Sequence, residues 1–255
     1  MSQPPPFDMP IPVPRVEPTP RWIRVRAGET WLADSRRASL LAWYGPGMLP
    51  TYCFPADDVR VDLLREGRDE WYDAAVGGGV VPRAARLLGD LPEPAGAANG
   101  LWTFTWDGSV RWFEEAFEIG THARDPSKRV DVVPSERHVR VELDGTLLAD
   151  STSPAALFET TLPTRWYLPR EDVSLDLLEP SELRTTCPYK GRASFFSVRA
   201  GGELRRDVAW TYPEPLPECP GVRDRICFFN ERVDITIDGE SQRRPFTPWS
   251  MDPGG

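Results

Sequence analysis

The chain has 255 residues and a mass of 28.7 kDa, the length of one large domain or two small ones. Lys and Arg total 30 against 39 Asp and Glu, a net charge of −9, which argues against non-specific binding to phosphate backbones and so against nucleic acid. The 28 prolines and 10 tryptophans favour turns and sheet over long helices, and no run reaches the roughly 18 apolar residues of a membrane helix, so no membrane span is expected.

Residues 1–20 contain eight prolines, from Pro4 to Pro20, which predicts an extended arm, disordered or lying along the surface. A ligand for a proline-reading domain is the alternative. The opening MSQPPPFDMP lacks the basic start and apolar stretch of a secretory signal. The four cysteines, Cys53, Cys187, Cys219 and Cys227, show no C-x-x-C spacing. Together these predict a cytoplasmic chain with reduced thiols and no metal or other cofactor, a Cys219–Cys227 disulfide being the alternative.

After the arm comes an internal repeat. RVRAGETWLADS (Arg24 to Ser35) matches RVELDGTLLADS (Arg140 to Ser151) at seven of twelve positions without a gap. YCFPADDVRVDLL (Tyr52 to Leu64) matches WYLPREDVSLDLL (Trp166 to Leu178) at six of thirteen. EWYDAAVGGG (Glu70 to Gly79) lies over SFFSVRAGGE (Ser194 to Glu203), and the same offset carries LWTFTWD from Leu101 onto the segment from Arg225. Val139, Val141 and Leu143 alternate with charged residues at the strand period, and Asp144-Gly145 supplies a turn. Val173, Leu175 and Leu177 alternate again after Pro169, and Phe195 to Val198 and Ile226 to Phe229 are aromatic and β-branched runs. Leu63 and Leu177 are expected at equivalent buried positions. Gly77-Gly78-Gly79 falls over Gly201-Gly202 and reads as a hairpin turn rather than a phosphate cradle, because no Lys-Ser or Lys-Thr follows.

The expected organisation is a Pro-rich arm (1–20), one module over 21–113, a link over 114–137, a second module over 138–240 and a tail over 241–255. The fold class is mainly β: two tandem modules of antiparallel sheet with short helical turns.

T-C-P-Y-K-G (Thr186 to Gly191), preceded by P-R-E-D-V-S-L-D-L-L and followed by A-W-T-Y-P-E-P (Ala209 to Pro215), resembles the DUF427 family, whose name marks it as functionally uncharacterised. The resemblance covers nearly the whole chain after residue 20, includes the tandem two-module form, and implies a β-tent-like fold. Relatives of that fold often hold zinc between paired C-x-x-C motifs, which this chain lacks. A nucleotidyltransferase label attached to the family finds no support in the residues: two-metal phosphoryl chemistry needs closely spaced carboxylates, and the chain has no D-x-D pair.

The two copies differ where chemistry can sit. Fifteen residues (Glu179 to Ala193) join the Leu177-Leu178 strand to the aromatic strand in copy 2, against five (Arg65 to Asp69) in copy 1. Trp210 and Tyr212 fall over Arg86 and Leu88, so copy 1 is degenerate and lacks the whole polar signature. A loop that one copy discards without losing its strand pattern answers to something besides folding. Cys187, three residues before Lys190, is a candidate nucleophile or redox-sensitive thiol, its alternative being a buried Cys in a Pro-containing turn. Tyr189, Tyr212 and Trp210 are candidate ligand contacts, or core aromatics. In the link, THARDPSKRVD concentrates charge; the resemblance adds that tandem members carry a similar H-x-R-D-P stretch. His122 there suits proton transfer near pH 7, with Arg124 and Asp125 as candidate ligand contacts. His138 takes the place of Trp22 and is expected to be structural.

The candidate catalytic residues are therefore His122, Lys190 and Cys187, whether or not the chain is an enzyme. The reading is a small organic molecule bound or transformed, without metal, by copy 2 and the link. A non-catalytic interaction module and a redox-responsive protein acting through Cys187 are the alternatives. Lys190 is expected at the surface, so that its truncation leaves stability nearly unchanged.

Overall fold

A computed structural model describes residues 8–45 and 48–250. It divides into an N-terminal unit, Ile11–Asp125, and a C-terminal unit from Pro126 onward, which the segment before Ile11 also joins. There the Asp8 N–H donates to the Phe246 carbonyl, and the Asp8 carboxylate accepts from Arg243 and from the Phe246 N–H, each at 2.7 Å.

The N-terminal unit contains β1 (Arg15–Pro18), β2 (Ile23–Ala27), β3 (Thr30–Ser35), β4 (Ser39–Ala42), β5 (Thr51–Cys53), β6 (Leu64–Glu66), β7 (Trp71–Val76), β8 (Gly79–Leu87), β9 (Trp102–Phe104), β10 (Arg111–Glu114) and β11 (Phe117–Ile119). The C-terminal unit contains β12 (Val130–Pro134), β13 (Val139–Leu143), β14 (Thr146–Ser151), β15 (Ala155–Glu159), β16 (Arg165–Leu168), β17 (Leu178–Cys187), β18 (Gly191–Ala200), β19 (Glu203–Thr211), β20 (Ile226–Phe228), β21 (Asp234–Ile237) and β22 (Glu240–Ser241). The fold is mainly β and its sheets are antiparallel. Among the described residues, helix is confined to short 3-10 turns such as Ala56–Asp58 and Arg170–Asp172, and no helix is long and apolar enough to cross a membrane.

In the C-terminal unit seven strands run in the order β12-β15-β16-β20-β19-β18-β17, beside a four-stranded sheet β14-β13-β21-β22. In the N-terminal unit, β1-β4-β5 continues through a Phe54–Trp102 bridge into β9-β8-β7-β6, beside β11-β10-β2-β3. β1 and β12 lie within the arm and the link of the sequence reading. Each is the edge strand of its sheet and ends on a proline (Pro18, Pro134), which an edge tolerates because it has no inner ladder to complete.

The two motifs shared by the halves, A-D-S and D-V, bond to one another within each half. Ser35 Oγ of the A-D-S hairpin donates to Asp58 of the D-V turn at 2.7 Å, and Ser151 donates to Asp172 at 2.6 Å. Both hairpins carry a bulge at the same place, after Val25 and after Val141. Leu63 and Leu177 end matching 3-10 turns but are half-buried; the buried side chains are the next residues, Leu64 and Leu178. Helix-like φ/ψ in the preceding turn rotates the alternation by one residue, which the strand period alone does not show.

Each seven-strand layer has an apolar face against the four-stranded sheet. In the N-terminal unit this core holds Leu32, Phe54, Phe104 and Trp112, with Trp106 stacked on Trp112 at 4.1 Å. In the C-terminal unit it holds Val141, Leu148, Leu168 and Phe228. Burying side chains of this kind contributes about 1.5–3 kcal/mol each. The opposite face of the layer positions the candidate site.

Candidate functional site

The β17–β18 hairpin is the element that β6–β7 lacks. Leu178, Glu179 and Pro180 face Val198, Ser197 and Phe196, as Leu64, Arg65 and Glu66 face Ala74, Asp73 and Tyr72. The short hairpin then closes. The long one bulges at 180–184 and resumes, pairing Arg184 with Ser194 and Cys187 with Gly191. The turn Pro188-Tyr189-Lys190 caps it. Gly191 sits at φ +100°, and a Cβ there would stand 3.1 Å from the Glu214 carbonyl oxygen. Only glycine lets the backbone lie this close, with the Leu216 N–H donating to the Lys190 carbonyl at 3.1 Å. The docked turn sends Lys190 inward.

Lys190 is 9% exposed, which corrects the expectation of a surface side chain. Its ammonium lies on the carboxylate of Glu159, the last residue of β15, with Cys187 nearby. Lys128, two residues before β12, reaches the other oxygen of Glu159 at 3.6 Å. All three charged side chains are about nine-tenths buried. Burial works against the Lys190 ammonium, yet Glu159 and Cys187 outweigh it and hold its pKa above the ordinary lysine value. Burial pulls Lys128 below that value; Glu159 opposes the shift, and the neighbouring Lys190 charge adds to it. Glu159 and Lys128 were not singled out in the sequence as site residues. Glu159 sits in FET with no motif around it, and its partner is 31 positions away. One signal was present: of thirty basic residues only Lys128 and Lys190 are lysines, and both converge on this carboxylate.

Tyr212, 5% exposed, belongs to the same buried layer as Cys187, Cys219 and Cys227. Burial, with Cys187 and Glu159 adding to it, raises its phenol pKa well above 10.0, so it remains a hydrogen-bond donor. Burial likewise pushes the Cys219 thiol up to about 11. The four thiols are free. Trp210 Nε1 donates to the Tyr167 hydroxyl at 3.0 Å, and the Tyr167 and Tyr212 rings lie 6.5 Å apart. Beneath Trp210, Arg165 makes a bidentate pair with Glu231, both bonds at 2.7 Å, and Thr247 donates to the same carboxylate at 2.7 Å. The Arg165 guanidinium stands 5.7 Å from the rings of Trp210, Phe229 and Trp249.

Of the residues singled out in the sequence, Cys187, Lys190 and Tyr212 therefore fall in one cluster, with Trp210 on the same layer and Tyr189 half-buried in the turn above. His122, Arg124 and Asp125 belong to the N-terminal unit. There the His122 ring Nδ1 lies 2.9 Å from the Ala123 carbonyl, and Asp125, 4% exposed, pairs with Arg15 of β1 and accepts from the Tyr44 hydroxyl at 2.9 Å. His138 bonds Asp150 at 2.5 Å as Trp22 bonds Asp34 at 2.6 Å, a shared structural position. Among the described residues, no group of three or more His, Cys, Asp or Glu is placed to hold a metal ion. A hollow of about 200 Å³ opens elsewhere in the C-terminal unit, between Pro163, Asn230, Ile235 and Arg243, away from the lysines.

Residues 131–239 match the family described as a domain of unknown function, DUF427. This segment is similar to a DUF427 domain. The match runs from within β12 to the turn after β21, so the matched segment contains Glu159, Cys187, Lys190 and Tyr212, while Lys128 lies just ahead of it. No curated protein matches the chain.

Proposed function

We propose that the chain binds, and transforms, a small organic molecule at the Lys128–Glu159–Lys190 cluster of its C-terminal unit, without a metal. The observation that carries this reading is the convergence of the chain's two lysines on one buried carboxylate, beside Cys187 and Tyr212. Taking charges out of water costs several kcal/mol per ion, so a buried group of three needs a reason. Folding does not supply one. We read the two units as copies of one module, and counting along equivalent strands puts Trp43 and Leu88 where the C-terminal unit has Glu159 and Tyr212. Among the described residues, the buried core of that layer there is Leu41, Cys53, Leu88, Ala95 and Ala98, all uncharged, which favours a functional role for the charges.

The experiment is native mass spectrometry of the purified chain. A retained small molecule, lost in Lys190→Met while the variant keeps its circular dichroism spectrum, supports the proposal. A ligand that stays bound in Lys190→Met contradicts it. The redox reading through Cys187 keeps one supporting observation: Cys187 is half-buried, whereas the other three thiols are fully enclosed.

A further inference from the structure

Lysine and arginine differ in one respect that matters inside a protein: an amine deprotonates and becomes a nucleophile, and a guanidinium does not. The chain uses arginine at 28 of its 30 basic positions, the solvated ion pairs of both units included. Lysine occurs only where two amines share a buried carboxylate. If charge alone were needed on Glu159, arginine would supply it with better geometry. The geometry points to Lys128 as an amine that condenses with the carbonyl of a small 2-oxo acid, forming an iminium beside Glu159. This rests on the small-molecule reading above.

The choice between the amines follows from their positions. Lys190 lies directly on Glu159, which favours its ammonium form. Lys128 stands off at 3.6 Å from the same carboxylate, and burial beside a second cation favours its neutral form. A desolvated lysine next to another cationic group is a recognised way to make a nucleophilic amine. Ser127 and Arg129 on either side are exposed, so this stretch borders solvent and offers an approach.

The step balances without any further reactant. The Lys128 nitrogen lone pair forms a bond to the carbonyl carbon, and the carbonyl π pair moves to oxygen. Glu159 takes a proton from the nitrogen and returns it to that oxygen. The proton that Lys128 released to solvent on becoming a neutral amine returns to complete the leaving water, and the nitrogen lone pair closes the C=N bond. The products are a protonated iminium and water, from an ammonium and a carbonyl. Charge selects the substrate class. The iminium and Lys190 are two cations, and Glu159 supplies one anion. A carboxylate on the substrate brings the group to neutrality, whereas a simple ketone leaves a buried positive charge uncompensated.

The test is reductive trapping on the full chain, with pyruvate as the probe, cyanoborohydride as the reductant and peptide mass spectrometry as the readout. A lowered amine pKa raises its neutral fraction, and we expect a carboxyethyl group to accumulate on Lys128 several-fold faster than on Lys190. Labelling of Lys190 at an equal rate, or of neither lysine, overturns the iminium. Propanone labelling Lys128 as fast as pyruvate overturns the oxo-acid assignment. L-Lactate, which has no carbonyl, reads binding alone by native mass spectrometry. Lactate bound without trapping removes the iminium and leaves the small-molecule reading standing; neither lactate binding nor trapping removes both.

Discussion

The β7–β8 and β18–β19 hairpins are built to one register and completed with opposite chemistry. Trp71 faces Arg86 as Phe195 faces Trp210, and Ala74 faces Val81 as Val198 faces Arg205. Both second strands place an Asp or Arg at positive φ at the same step, Arg83 and Asp207. In each, that residue's N–H donates across the bulge, to Asp73 and to Ser197. Behind this shared frame the N-terminal unit fills its layer with Leu41, Cys53, Leu88 and two alanines, and bonds Trp106 Nε1 to Thr51 at 3.0 Å. The C-terminal unit has Arg165 where that unit has Thr51, and Glu231 where it has Asp107. Register and hairpin geometry are therefore indifferent to whether the layer is neutral or ionic, and the ions are an addition to the fold rather than a condition of it.

The largest predicted effect breaks this comparison at its most buried pair. Arg165→Met leaves Glu231 enclosed without its cation and should cost about 3–5 kcal/mol. Thr51→Val at the matching place removes one neutral hydroxyl, which accepts from Trp106 and shares a hydrogen bond with Thr103, and should cost about 1–2 kcal/mol. Urea denaturation of the two variants checks the ratio, and equal losses would contradict it. Acid is the next probe. Burial opposes ionisation of Glu231, but Arg165 and Thr247 outweigh it and hold its pKa below the ordinary value of 4.5. A carboxylate with a lowered folded-state pKa contributes stability above its unfolded pKa and loses it as pH falls through the folded one. Hydrogen exchange below about pH 4.3 should therefore rise faster in wild-type β16 and β20 peptides than in Glu231→Gln, relative to pH 7 for each. Parallel pH profiles would contradict this.

A smaller effect separates the two turns. Gly191→Ala combines φ +100° with a 3.1 Å approach to Glu214 and should cost about 1–3 kcal/mol. Gly77→Ala, at φ +57° in open space, should cost about 1–2 kcal/mol. Thermal unfolding of both variants orders them, and a larger loss at Gly77 would contradict the docked turn.

Much of the frame was legible because it is local. The A-D-S hairpins, the D-V turns and the ungapped offset that sets Trp210 over Arg86 are patterns within a few residues of themselves, and β alternation preserves them. The cluster was less legible. Cys187, Lys190 and Tyr212 announced themselves by having no counterpart in the N-terminal half of the sequence. Glu159 closes the group from a strand end with no motif, and β12 hid in a charged stretch because an edge strand alternates weakly. Lys190 read as a surface residue because nothing near it in sequence shows that Gly191 turns it inward.

The most direct measurement removes the ions without leaving any of them unpaired. Lys128→Met/Glu159→Leu/Lys190→Met replaces the cluster by apolar side chains. Such exchanges of buried ionic groups are often neutral or stabilising by about 1–4 kcal/mol. The account predicts an unchanged or raised melting temperature together with complete loss of small-molecule retention. A melting temperature that falls by several degrees, with ligand retention intact, would show that the lysines serve the fold and would contradict it.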